Sequence, residues 1–402
     1  MVEPVKKEPA EDRELRDCPK TDPTPARDLE PAPARDIEPA PARDIEKEEA
    51  QRAQLGEQLK TVDGWMENLH DPERGGVGKA FLRATEHILR SEDLDFQMKP
   101  SAGYHSFIYP PKPEQDSFSN YVLYGIEALE NAARLMGART HEFVHALQYQ
   151  SAAALHADPF NDATHIIVSP YDYVLRKERL EQDAYVKGAW LCSLAVGDAP
   201  EIVKAMQGSP LPIDTFQKIR SESASLQDAF EAAARACRNL LGVWAKDAEK
   251  SVIADEWHER ALEEYDLLLK YRFENLQEGE ALTLVLLEGP DILEIGASFG
   301  PNTFGADAEN PALTEIENLS PANAKKLAEI EKKYGIAPRA ELPTVDDALA
   351  AASTTRAAFI DASRNHKGAP AKPVATVDAP KAANDTTAPA RQQNTGPRPP
   401  AF

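Results

Sequence analysis

The sequence predicts a mainly α-helical protein of the α+β class, with a small edge sheet and two disordered ends. Three observations lead to that class. Most of the chain between about residues 49 and 364 places apolar residues at helical spacing. Only a few short, β-branched or aromatic runs read as strands. Both ends are rich in Pro and Ala and poor in large apolar residues, too poor to bury a core.

Residues 1–48 form the first end. They contain an eight-residue repeat, seen in full as Pro31-Ala32-Pro33-Ala34-Arg35-Asp36-Ile37-Glu38 and again from Pro39 to Glu46. Each unit offers one aliphatic residue, so the repeat predicts an extended, polyproline-biased arm rather than a solenoid. Such an arm can tether the protein or dock a partner.

From about Glu49 the pattern turns helical, in EAQRAQLGEQLKTVDGWMENL and, after the Gly75-Gly76 break, in GKAFLRATEHILRSE. The segment Tyr104-His105-Ser106-Phe107-Ile108-Tyr109, closed by Pro110-Pro111, predicts an edge strand. SNYVLYGIEALENAARLM predicts a helix capped by Gly137, with a new helix from there to about Leu155. His165 to Val168 predicts a short buried strand, and a strong helix runs from near Tyr173 to Gly197. Residues 201–364 predict a helical extension packed on the 49–200 core, interrupted by a buried, extended EGEALTLVLLEGPDILEIG. Residues 365–402 form the second disordered end.

The chain of 402 residues is 42% hydrophobic, enough for a sizeable core, and carries a net charge of -22. That charge argues against nucleic acid and anionic membrane surfaces as partners. Cys18, Cys192 and Cys237 are odd in number and widely spaced, which predicts neither a disulfide framework nor a cysteine-rich zinc site. No apolar run reaches membrane-spanning length, and the N-terminal residues lack the apolar segment of a signal peptide. A cytoplasmic location is the expectation.

The chemistry is concentrated in His141-Glu142-Phe143-Val144-His145, a His-Glu-x-x-His pattern. On a helix, residues i and i+4 share a face, so both imidazoles can aim at one point. That suits zinc, which takes imidazole nitrogens at about 2.0–2.1 Å. Glu142, one residue on, is placed to take a proton from a water whose pKa the ion lowers.

A third ligand is needed. Gln148 and Ser151 occupy the places that Gly and His would hold in the longer HExxHxxGxxH pattern, which excludes that arrangement. His156, Asp158, His165, Glu178, Glu181 and Asp183 lie within reach in sequence. Glu181 is favoured because its helix can pack beside the first, with small residues at Ala184, Gly188 and Ala189 permitting close approach. Asp183 could support a ligand imidazole or exchange roles with Glu181, and His165 is a further alternative.

HEFVHALQ followed by RLEQDAYVKGAW resembles zincin-type metallopeptidases of the glutamate-zincin kind. More narrowly, residues 100–195 resemble a bacterial metallopeptidase family of unknown function, with a Gly-Tyr strand, then HE-x-x-HA-x-Q, then an Arg and Glu-x-Asp-Ala helix, the Arg one residue closer here. The resemblance implies a zincin-like core at 49–200, His141, His145 and Glu181 as zinc ligands, and Glu142 as general base. It also implies that the strand near Ile108 binds an extended peptide backbone. It leaves the helices after Pro200 unexplained. An oxyanion donor would come from Tyr171 or Tyr173, in the loop before the third-ligand helix, or from Tyr104, with Tyr173 the choice among them. The expected function is zinc-dependent peptide-bond hydrolysis on a peptide or protein substrate. Two alternatives share these residues: a silent zincin scaffold serving as an interaction module, which the presence of Glu142 disfavours, and a zinc hydrolase of a non-peptide amide.

Overall fold

In the computed structural model, residues 5–6, 45–69, 76–86, 89–94, 105–108, 120–124, 131–151, 165–207, 209–244, 251–316 and 319–359 are described. Most of both expected disordered ends lies outside them. Strand β1 (Val5–Lys6) comes first, and helix α1 (Ile45–Glu67) begins inside the last octapeptide unit. Helix α2 (Val77–Glu86) leads into a sheet of β2 (Leu89–Leu94), β3 (His105–Ile108) and β4 (Asn120–Tyr124). β4 is central, parallel to β2 and antiparallel to β3, so β3 is an end strand as expected.

This sheet corrects two expectations. The helical run GKAFLRATEHILRSE stops at Glu86, and Asn120–Tyr124, expected in a helix, is strand β4. Cross-strand partners decide it: Phe107 faces Val122 and Ser106 faces Leu123. β-branched and aromatic residues fit such a pleated surface better than their helical spacing suggests.

Helix α3 (Ala132–Ser151) carries the His-Glu-x-x-His pattern. Its start is set by Asn131, whose Oδ1 accepts from Ala133 N at 2.9 Å and Arg134 N at 3.3 Å. Gly137 is therefore inside the helix rather than at its C-cap. The glycine is needed for packing: a Cβ there would lie 2.0 Å from Met206 Sδ.

Strand β5 (Ile166–Val168) is fully buried, as expected. Helix α4 (Pro170–Ala195) follows, capped by Ser169, which accepts from Asp172 N, with proline at its first position. Next come α5 (Glu201–Ala205), α6 (Ile213–Glu222), α7 (Leu226–Trp244) and α8 (Ser251–Asn275). β6 (Ala281–Val285) lies between β5, parallel to it, and β1, antiparallel. Helices α9 (Gly289–Gly296), α10 (Pro321–Tyr334) and α11 (Val345–Ala351) complete the described chain. α10 is punctuated at both ends, by Ser320 as N-cap and by Gly335 in the left-handed conformation at its C-cap.

Helix α4 is the axis of the molecule, in contact with α3, α6, α7, α8, α9 and α10. It joins two hydrophobic cores. One gathers residues of α1, α2 and α3 with Ala184, Trp190 and Leu191 and with Phe216 and Phe230 from beyond residue 200. The other gathers Ile167, Tyr173 and Leu180 with Leu262, Tyr265, Leu284 and Ile292. Residue 200 does not mark the division between the cores, because helices after it contribute to both. Among the described residues, no helix is long and apolar enough to cross a membrane.

An axial helix would ordinarily be apolar all round. α4 instead buries Asp172, Arg176, Glu178, Arg179, Gln182, Asp183 and Lys187. Partners from later elements compensate for the lost water. Arg179 donates to Leu313 O and Ala312 O, each at 3.1 Å, and to Glu315 O at 2.7 Å. Arg339 clamps Asp172, with Nη2 2.8 Å from Oδ1. Glu178 pairs with His258 at 2.6 Å. The segments after Pro200 thus satisfy the charges of the helix that carries Glu181.

Candidate metal centre

Helices α3 and α4 lie side by side, close enough that a Cβ at Gly188 would meet His141 Cα and N at 3.9 Å, ordinary van der Waals contact. Phe143 and Val144 turn inward and are 3% and 0% exposed, which anchors α3 at about 1.5–3 kcal/mol for each side chain. The opposite stripe, His141 and His145, meets α4 at Glu181.

Three side chains converge there. His141 Nε2 lies 3.1 Å from His145 Nε2 and 3.3 Å from Glu181 Oε2, and His145 Nε2 lies 3.3 Å from Glu181 Oε1. The three offer ligand atoms all within 4.8 Å of one another, so the group can hold a metal ion. The edge of a tetrahedron built on metal–ligand bonds of about 2.0–2.1 Å is about 3.3–3.4 Å. Each imidazole lies at about that separation from the other imidazole and from one of the two Glu181 oxygens. The two histidines are buried, whereas the Glu181 side chain is 31% exposed, so the group opens to solvent on the carboxylate side.

The electrostatics favour positive charge at this point. Burial by itself would lower the His145 pKa, but the Glu181 carboxylate, with help from Glu142 and Gln148, raises it to about 9. Burial by itself would raise the Glu181 pKa, but His145 and His141 hold it well below the usual carboxylate range.

The tautomer of His145 follows from its neighbours. Gln148 Nε2 donates to Leu180 O at 2.9 Å and to Asp183 Oδ2 at 2.8 Å, both acceptors only. Its Oε1 therefore faces His145 Nδ1 at 2.8 Å and must accept, so Nδ1 carries a proton and Nε2 is the nitrogen turned toward the other candidate ligands. Asp183 is fixed in turn by Lys187 Nζ at 2.8 Å and by the hydroxyls of Ser298 at 3.1 Å and Thr303 at 2.5 Å. Lys187 also donates to Gly296 O at 2.7 Å.

The sequence-derived site residues now have places. His141, His145 and Glu181 come together, and Glu142, 6% exposed, follows His141 on the motif helix and lines a small cavity with it. Asp183 does not exchange with Glu181. Two residues along a helix turn it about 200°, so it faces the core and reaches His145 only through Gln148. His165 is not at the site: half exposed, it lies 3.7 Å from Glu280. Glu178 is engaged with His258. His156, Asp158 and Tyr104 lie outside the described residues.

Tyr173 is not brought to the group either. It is two turns before Glu181, about 12 Å along the axis, with its ring in the second core against Tyr265 at 5.0 Å. Tyr171 is engaged with residues 314 and 316, accepting from Ile316 N at 2.9 Å. The tyrosine at the site is Tyr185, whose ring centroid is 4.4 Å from that of His141. Burial, then the Glu181, Cys237 and Glu142 charges, push its phenol well above the ordinary value, so it stays a hydrogen-bond donor. Its spacing of four from Glu181 was the available signal, just as the spacing of three from His145 marked Gln148.

Comparison with protein-family models, curated proteins and solved structures finds no match.

Proposed function

We propose that this protein is a zinc-dependent peptidase of the zincin kind, with His141, His145 and Glu181 as ligands. The observation that carries this reading is the convergence of two imidazoles, 3.1 Å apart at Nε2, on the Glu181 carboxylate, each 3.3 Å from one of its two oxygens. Two imidazoles and one carboxylate, closed on the protein side and open toward solvent, form the donor set of a catalytic rather than a structural zinc site. Zinc bound there supplies Lewis acidity, polarising a carbonyl and lowering the pKa of a water toward neutrality.

The chain's own groups supply the rest. Glu142 accepts the proton of the attacking water on its carboxylate and returns it to the leaving amine. Gln148, held by Asp183, keeps the His145 ring in register. Tyr185, beside His141, donates its phenol hydrogen to the oxyanion that develops on the substrate. Strand β3 packs against α3 and, among the described residues, has no strand on its outer side. An extended peptide can add there through main-chain hydrogen bonds, which favours a peptide over another amide as substrate. Cys192 and Cys237 are free and buried, which suits a reducing compartment such as the cytoplasm.

The test is metal analysis of the purified protein beside Glu142→Gln and Glu181→Ala, with a casein cleavage assay on each. Expected are about one zinc per chain in the wild type and in Glu142→Gln, loss of zinc in Glu181→Ala, and cleavage by the wild type alone. A wild type that takes up no zinc, even after refilling, overturns the reading.

A further inference from the structure

The two histidines of the metal centre are held differently. His145 passes its Nδ1–H to Gln148, but His141 Nδ1 is buried with no hydrogen-bond partner among the described residues. Metal-ligating histidines almost always donate the second ring N–H, since that bond fixes tautomer and ring orientation. A second buried polar atom nearby, Ser209 Oγ, is equally without a protein partner. Ser209 is 6% exposed and follows α5, the helix whose Met206 covers Gly137.

His141 and Ser209 line the same small cavity between α3 and α4. It leaves about 10 Å³ for the centre of a water-sized sphere, room for one water. Gly137, Ala138, Ala184 and Gly188 form much of its wall and carry no polar side-chain atoms, while Glu142 and Tyr185 line it beside His141.

We infer that one water in this cavity joins His141 Nδ1 to Ser209 Oγ, making Ser209 the positioning residue for the first zinc ligand. The inference rests on the metal reading above. A buried N–H requires an acceptor, and a water provides one while donating onward to the serine hydroxyl, which can both accept and donate. The bridge gives His141 the Nδ1–H tautomer and so leaves Nε2 free for the metal. It is the counterpart of what Gln148 does for His145, built from a water.

Two variants test this in the full-length chain. Ser209→Ala removes the far partner of the water. Gly188→Ala puts a methyl into the cavity without a clash, since its Cβ meets the His141 backbone at 3.9 Å. Zinc affinity is measured by competition with a chromophoric chelator, and folding by thermal melting of the metal-free proteins. The zinc Kd should rise about tenfold or more in both variants. The metal-free Gly188→Ala protein should melt at or above the wild-type temperature, because alanine suits a helix better than glycine. A purely structural role for the cavity would leave zinc affinity unchanged in that variant. An unchanged Kd in either variant overturns the inference. A wild type that binds no zinc removes the metal reading itself, and the inference with it.

Discussion

Gln148 Nε2 donates to Asp183 Oδ2 at 2.8 Å, linking the metal-facing helix to a carboxylate buried in the axis of the fold. The two residues are 35 apart in sequence and both 0% exposed. The bond extends a chain that runs from Lys187 through Asp183 and Gln148 to His145. Orientation of one candidate ligand is thereby tied to an ion pair in the core.

Replacing Gln148 with Ala should leave the fold intact but loosen His145. Loss of such a support typically costs 10–100-fold in metal affinity, so the zinc Kd should rise by about that factor. Chelator competition reads it directly, and a Kd equal to wild type would remove Gln148 from the proposed support.

Lys187→Met is expected to act on stability. It leaves the Asp183 carboxylate buried without its cation, and breaking a buried pair in this way costs about 3–5 kcal/mol. Urea denaturation should show a lower midpoint with an unchanged slope.

Glu142→Gln keeps shape and removes the base. Cleavage should fall by about 10²–10⁴-fold while zinc content stays the same. A fall in zinc content together with the rate would instead mean that Glu142 serves as a ligand.

Zinc should stabilise the protein, because its ligands come from two helices that are brought together only in the folded chain. At a free concentration 100 times Kd, the gain is about 2.7 kcal/mol. Calorimetry with and without a chelator measures it, and Glu181→Ala should show little of it.

The buried thiols set an alkaline limit. Burial pushes Cys192 and Cys237 up to about 12 from 9.0, with Thr140 opposing the shift at Cys192 and the Glu181 charge adding to it at Cys237. In the unfolded chain they ionise first. Their contribution is therefore complete below pH 9 and is lost as pH rises toward 12, at about 1.4 kcal/mol per pH unit for each thiol. Both should also resist alkylation at pH 8 until the protein is unfolded, as intact-mass measurement would show.

Local information made the candidate ligands legible. His141 and His145 share a face by the period of the helix alone, and Glu181 was favoured by the small residues that follow it. Strand β4 was not legible, since the run SNYVLYGIEALENAARLM has helical spacing and the deciding partners, Phe107 and Ser106, come from another strand. Gly137 was misread for a similar reason. A glycine that stops a helix and a glycine that admits Met206 look the same until the chain folds back.

By itself, then, the sequence determined the helical class, the placing of His141 and His145 on one face of α3, their carboxylate neighbour Glu181, and the edge position of β3. Each depends on spacing within one element. Tertiary structure decided the rest: that Tyr185 rather than Tyr173 stands at the site, that Asp183 acts through Gln148, and that helices beyond Pro200 hold the charges of α4. Those outcomes depend on which way a helix is rotated in its bed and on which distant carbonyls meet its buried charges. That is settled by packing and hydrogen-bond satisfaction between segments far apart in the chain, which no single stretch of sequence encodes.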